Sequence, residues 1–134
     1  MKTNLVIVGE NEVINKGVGE DLANILELNF LDFDGYCEYM TLKSRQEIIS
    51  VFGKRKYNEV QKEYLPHMSD FCDSVIGFDG KLSSISAICK RTKDTSYIIC
   101  IAERDKTYYK KYADIWINLG SKTRKRITNE IIKK

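Results

Sequence analysis

The chain has 134 residues, 43% hydrophobic and 31% charged, with a formal net charge of +3. That is enough chain for one domain with one sizeable core, and too little glycine and proline for long linkers. No apolar run approaches the ~20 residues of a membrane span. The opening apolar stretch, Leu5 to Val8, is too short for a signal-peptide core, so the expected location is the cytoplasm.

Strand and helix signals alternate along the chain. Residues 4–8 read as a buried strand, and 17–28 as a helix with Val18, Leu22, Ile25 and Leu26 on one face. Residues 29–33 read as a second strand, and 36–52 as one or two short helices. Residues 54–72 read as a longer helical stretch disturbed by Pro66. A third strand is expected at 74–78 and a helix at 81–91. The near-continuous apolar run "SYIICIA", 96–102, reads as a strand covered on both faces. A helix at 103–112 and a fifth strand at 114–119 follow, with Ile115, Ile117 and Leu119 on one face. The last helix, 121–133, buries Ile127 and Ile131. Five short strands separated by helices predict a single α/β domain over 1–134, a five-stranded parallel sheet sandwiched by helices in three layers.

Cys37, Cys72, Cys89 and Cys100 show no CxxC spacing and are expected as free, mostly buried thiols. His67 has no second ligand nearby and reads as a packing or surface residue. Charge is uneven: residues 1–40 hold two lysines against eight acids, and the end "SKTRKRITNEIIKK" holds six basic residues against Glu130. A basic patch of this kind suits nucleic acid or phosphate. Without interleaved aromatics for base stacking it reads as a solvated helix face, so nucleic acid is not the expected partner.

Ligands of parallel sheets bind beyond the carboxyl ends of the strands. That rule selects the loops 9–17, 32–36, 77–81 and 103–108. The first, "GENEVINKG", stands where a phosphate loop G-x-x-x-x-G-K-[ST] would lie. Counting from Gly9, Ile14 takes the second glycine's place, Asn15 the lysine's and Lys16 the hydroxyl's. Glu10 and Glu12 add repulsion of about 3 kcal/mol for a carboxylate ~6 Å from a phosphate charge. In the second loop Asp32 and Asp34, two residues apart, are expected on one side of an extended strand end, where they could position magnesium and accept a hydroxyl proton. The alternative is capping of the next helix by Asp34. The third loop offers Asp79, Gly80 and Lys81, and the fourth Arg104 and Lys106. An arginine there could clamp a carboxylate or phosphate.

Taken in order, these segments resemble the shikimate kinase family. The first strand, its loop and "GVGEDLANILELNFLDFDGYCEY" look like that family's opening strand, phosphate loop and "VG…LA…L…F.D.D..IE" segment. "QEIISVFG", "YNEVQKEYL", "SVIGFDGKL" and "YYKKYADIWINLGSKTRKRITNEII" are similar to its later segments, so the resemblance covers nearly the whole chain. It implies a nucleoside-monophosphate-kinase type of P-loop fold, a place near aromatic amino-acid biosynthesis, and roles for Asp32 on magnesium and Asp34 on the substrate hydroxyl.

Against the family pattern, the loop Gly9, Asn15, Lys16, Gly17 is a degenerate nucleotide site. The family's substrate arginine falls on Asn58, and its triple glycine on Asp79, Gly80 and Lys81. The arginine-bearing lid has no counterpart, and a second carboxylate-binding arginine falls on Asp105, with Arg104 beside it. The resulting expectation is a non-catalytic relative that binds a small anionic metabolite, near Asp34, Gly80, Lys81 and Arg104, or a protein partner. The alternatives are an active kinase using magnesium and ATP through a rebuilt site, with Lys16 as the replacement cation, and a nucleic-acid-binding module using the basic last helix.

Overall fold

The computed structural model describes residues 2–78, 85–103 and 107–134. Five parallel strands form one sheet in the order β2–β3–β1–β4–β5, where β1 is Asn4–Val8, β2 Asn29–Asp32, β3 Ser74–Gly77, β4 Ser96–Ala102 and β5 Ile115–Asn118. Leu5 pairs in register with Val75 on one side and Tyr97 on the other, which makes β1 the centre of the sheet. Its Val6, Ile7 and Val8 have no exposed surface, as expected of a strand covered on both faces.

Alternate residues feed two cores. Ile7, Val75, Ile99, Ile101 and Ile117 face α1 (Glu12–Leu26) and α6 (Arg124–Ile132), which contribute Val18, Leu22, Ile127 and Ile131. On the other face, Val6, Val8, Ile76, Ile98 and Cys100 pack against Phe33 and Cys37 of α2 (Phe33–Thr41), Val60 of α4 (Lys54–Tyr64) and Ile88 of α5 (Ile85–Thr92). The expected three-layer sandwich is therefore the fold. No described helix is long and apolar enough to cross a membrane.

Several boundaries differ from the sequence reading, each for a local reason. α1 begins at Glu12 rather than residue 17, because Asn11 caps it: its side-chain oxygen accepts the Ile14 N–H at 3.0 Å. α2 begins at Phe33, capped by Asp32, whose carboxylate accepts the Gly35 N–H at 3.2 Å. α3 (Arg45–Phe52) starts in a capping box between Ser44 and Glu47 and is separated from α4 by Gly53, at a left-handed φ of 91°. The helical stretch expected over 54–72 is disturbed near Pro66: α4 ends at Tyr64, and Leu65–Asp70 continue as a 3₁₀ turn. The helix expected at 103–112 is a 3₁₀ turn over Thr107–Tyr112 among the described residues.

The thiols are free, with Cys37, Cys89 and Cys100 buried and Cys72 exposed. Burial pushes Cys37 and Cys100 up to about 12 and Cys89 up to about 11. His67 packs in an aromatic group with Tyr36 and Tyr64, and its Nδ1 lies 2.7 Å from the Tyr36 hydroxyl.

The basic last helix is tied to the body of the protein. Arg124 donates to both oxygens of Asp21 on α1, at 2.6 and 2.7 Å, and Lys122 donates to Glu130 at 3.0 Å. The Arg124 hydrogen bond holds the Asp21 carboxyl below its usual range. A depressed carboxylate pKa stabilises the fold at neutral pH, and that contribution disappears as pH falls through the folded-state value. Asp21→Asn should therefore lower the urea midpoint at pH 7. The gap from the unsubstituted chain should narrow steadily on acidification below the ordinary carboxylate range, as read by urea melts across pH.

Candidate functional site

The carboxyl ends of β1, β2 and β3 meet around a cavity of about 410 Å³. Its described wall includes Glu12, Val13 and Lys16 from α1, Asp32, Asp34 and Glu38 from the β2–α2 junction, Ser44 and Arg45 at the start of α3, and Gly77 and Phe78 after β3.

The segment expected as a phosphate loop is three residues long. Gly9 leaves β1, and the chain is helical from Glu12. A Cβ on Gly9 would stand 2.0 Å from the carbonyl oxygen of Ile101, so only glycine fits the turn out of the strand. Two backbone donors in the first turn of α1 are used within it: Ile14 N–H goes to the Asn11 side chain and Asn15 N–H to the Asn11 carbonyl at 2.9 Å.

Asn15, at the position of the expected lysine, is buried. Its Nδ2 donates to the carbonyls of Gly9, at 3.0 Å, and Phe78, at 3.2 Å. Lys16 is exposed on the cavity wall. Gly17, expected beside it in the nucleotide loop, instead faces the last helix, where an added Cβ would meet the Arg124 side chain at 2.8 Å. Its lack of a side chain makes room for the Arg124–Asp21 clamp. The four residues of the expected nucleotide loop are thus dispersed, because one helical turn carries successive residues to different faces.

Asp32 and Asp34 both reach the cavity, but not from one side of an extended end. Asp32 closes β2 and caps α2, and Asp34 lies in the first turn of α2. The capping residue is Asp32 rather than Asp34, since the Gly35 N–H lies within its reach. Asp34 is held by α4: the Tyr57 hydroxyl donates to its Oδ1, and Gln61 Nε2 donates to the same oxygen at 3.3 Å. Burial, then the hydrogen bond to Asp34, pushes the Tyr57 phenol far above its usual range, so it stays protonated and remains a donor.

Arg45 completes this group. Its backbone N–H donates to Glu38 Oε2 at 2.8 Å, and its guanidinium lies 5.5 Å from the Tyr57 ring centre. Nη1 stands 3.6 Å from Glu12 and 3.9 Å from Asp34. Among the described residues no group of three or more His, Cys, Asp or Glu is arranged to hold a metal ion. The expected positions Asp79, Gly80, Lys81, Arg104 and Asp105 lie outside the described residues.

The sequence reading missed Arg45, Tyr57 and Gln61. The spacing of Tyr57 and Gln61, i and i+4, puts them on one face of α4. The Ser44–Glu47 capping box places Arg45 in a first helical turn. Neither signal says that these two elements meet at Asp34.

A family model described as shikimate kinase matches residues 16–101. The chain belongs to the shikimate kinase family. The match begins at Lys16, the last position of the phosphate-loop pattern counted from Gly9. A shikimate kinase of Alkaliphilus oremlandii is 29% identical over 114 residues, covering 78% of this chain and 68% of that protein. One of Thermodesulfovibrio yellowstonii is 24% identical over 108 residues, covering 81% of this chain and 62% of that protein. The chain thus spans about two thirds of the length of these relatives. Its fold matches crystal structures of shikimate kinase from Aquifex aeolicus, with a TM-score of 0.79, 18% identity and coverage of 97% and 94% of the two chains. It also matches shikimate kinase from Acinetobacter baumannii in complex with shikimate, with a TM-score of 0.83, 16% identity and coverage of 99% and 92%.

The Tyr57–Asp34 contact is a partly buried hydrogen bond to a carboxylate. Tyr57→Phe should cost about 1.5–3 kcal/mol of stability, read as a lower urea midpoint with an unchanged slope. A midpoint equal to that of the unsubstituted chain would show that the hydroxyl does not anchor α4 to Asp34.

Proposed function

We propose that this chain is a non-catalytic member of the shikimate kinase family, which keeps a cavity for a small anionic metabolite at Asp34 and has lost phosphoryl transfer. The observation that carries this reading is the start of α1 at Glu12. Phosphoryl transfer depends almost wholly on positioning and on charge stabilisation of the transferred group. A phosphate loop supplies both, through backbone N–H groups folded around the phosphates and a lysine aimed at them. Here the N–H groups of Ile14 and Asn15 are bonded to Asn11, and the side chain of Asn15 is turned inward between Gly9 and Phe78. Glu10 and Glu12 put two carboxylates in the same segment, where they would repel a phosphate. These residues do not fit a magnesium–triphosphate group, and no step is assigned to one.

The retained cavity supports binding. Asp34 remains on its wall, oriented by Tyr57 and Gln61, and its carboxylate can accept a hydrogen bond from a ligand hydroxyl. The reading of an active kinase draws on a single feature, Lys16 on the same wall. That lysine lies on α1 beyond the Asn11 cap, in a segment that also carries Glu10 and Glu12.

The test is phosphorus NMR of the chain with Mg-ATP and shikimate, run beside an authentic shikimate kinase. The expected outcome is no phosphorylated product above the protein-free control, from protein shown to be folded by circular dichroism. Product above that control would overturn the proposal, and loss of it in Lys16→Ala would assign the activity to a rebuilt phosphate site.

A further inference from the structure

Five large hydrophobic side chains exposed to solvent lie between residues 39 and 52. They are Tyr39 and Met40 near the end of α2, Leu42 at its cap, and Val51 and Phe52 at the end of α3. Lys43 links the two ends: its Nζ lies 5.1 Å from the centre of the Phe52 ring. The result is an apolar tip where α2 hands over to α3.

Two local costs mark this tip. Leu42 takes a left-handed backbone, with φ 59°, where a Cβ is disfavoured and glycine is usual. Its side chain is 88% exposed, so packing does not offset that cost. After Gly53, Lys54, Arg55 and Lys56 form the first turn of α4, where the helix dipole disfavours cations and no side chain caps the helix. Lys56 lies 3.9 Å from Glu59, and all three cations are exposed. Neither choice serves the stability of the fold, and departures of this kind mark functional surfaces.

Charge points to the partner. Residues 39–56 hold five basic residues against Glu47, a net +4 where the whole chain is +3. Arg45 lines the cavity, which leaves Lys43, Lys54, Arg55 and Lys56 beside the apolar tip. A second copy paired across a two-fold axis would bring like charge onto like. A protein partner would need a pocket shaped to receive the protruding Leu42, whereas a lipid surface opens around it.

We propose that this tip docks on an anionic lipid surface. Leu42 and Phe52 enter the boundary between headgroups and acyl chains, Tyr39 sits at headgroup level, and the four cations meet the lipid phosphates. The attachment is peripheral, since no described helix is long and apolar enough to cross a membrane. It does not depend on whether the cavity binds a ligand or on whether phosphate is transferred.

The experiment is co-sedimentation of the full chain with vesicles of phosphatidylcholine alone or with about a third phosphatidylglycerol. At about 50 mM salt the anionic vesicles should bind at least about tenfold more strongly than the neutral ones, and about 500 mM salt should remove most of that difference. Leu42→Gly should weaken binding to anionic vesicles at least about fivefold. The same substitution should leave the urea midpoint unchanged or higher, because glycine relieves the left-handed backbone, so the loss is not one of folding. Lys54→Gln combined with Lys56→Gln should weaken binding about tenfold, and Lys125→Gln with Lys133→Gln on α6 by less than about twofold. No sedimentation with anionic vesicles at low salt would overturn the proposal and leave the tip to an acidic protein face. Equal binding to neutral vesicles, binding unchanged in Leu42→Gly, or an equal loss from the α6 pair would also overturn it. So would a mass by light scattering that doubles with concentration in the unsubstituted chain but not in Leu42→Gly, in favour of a second copy.

Discussion

The carboxamide of Asn15 is the contact on which the arrangement at this end of the sheet depends. Its two N–H donors reach the carbonyls that follow β1 and β3, at Gly9 and Phe78. The amide thereby ties α1 to two adjacent strands. It can do so only if the helix has already begun, since Asn15 lies one turn after Asn11, and that start is what the Asn11 cap provides. Cap and buried amide support each other. A lysine at this position would bring a long side chain and a charge into a fully buried site, where an unpaired charge is strongly disfavoured. A chain with a lysine here would have to keep the segment open and aim the amine outward. The exchange of one residue is thus coupled to the backbone path of the whole segment.

The same constraint sorts the neighbouring residues. With the helix running from Glu12, Lys16 falls on the cavity side and Gly17 on the side of α6, where Arg124 crosses to Asp21. What would be one ligand-binding loop becomes two separate features: the wall of a cavity on one side, and a structural clamp on the other. Asp34 is left with the cavity. Its partners come from α4, which packs on the opposite face of the sheet from the clamp, and from α3, which packs against α4. The pocket and the clamp therefore draw on different cores, and disturbing one need not disturb the other.

The sheet was legible in the sequence because burial on both faces leaves a direct trace in it. β4 reads at its true limits, Ser96 to Ala102, from an uninterrupted apolar run, and Ile127 and Ile131 are buried where their spacing places them. The start of α1 was not legible from motif register, which follows glycines and lysines and passes over Asn11, although asparagine is a strong N-cap. Asp32 against Asp34 as the cap of α2 turned on one residue of strand length. The grouping of Arg45, Tyr57 and Asp34 was hidden for a different reason. It arises from the packing of three helices, and no local pattern records which side chains meet across such an interface. Sequence alone carried the family through the order of its apolar segments, which is why the core matched while the chemistry had to be read from geometry.

Loss of the phosphate loop is decided by the conformation of residues 9–17, which backbone chemical shifts by NMR, with and without Mg-ATP, report directly. A helix capped by Asn11 should give helical carbon shifts from Glu12 onward, slow exchange of the Asn15 side-chain amide, and no change in this segment on adding nucleotide. Loop-like shifts over residues 12–16, or displacement of the Asn15 amide signal by Mg-ATP, would contradict it and restore a working phosphate loop.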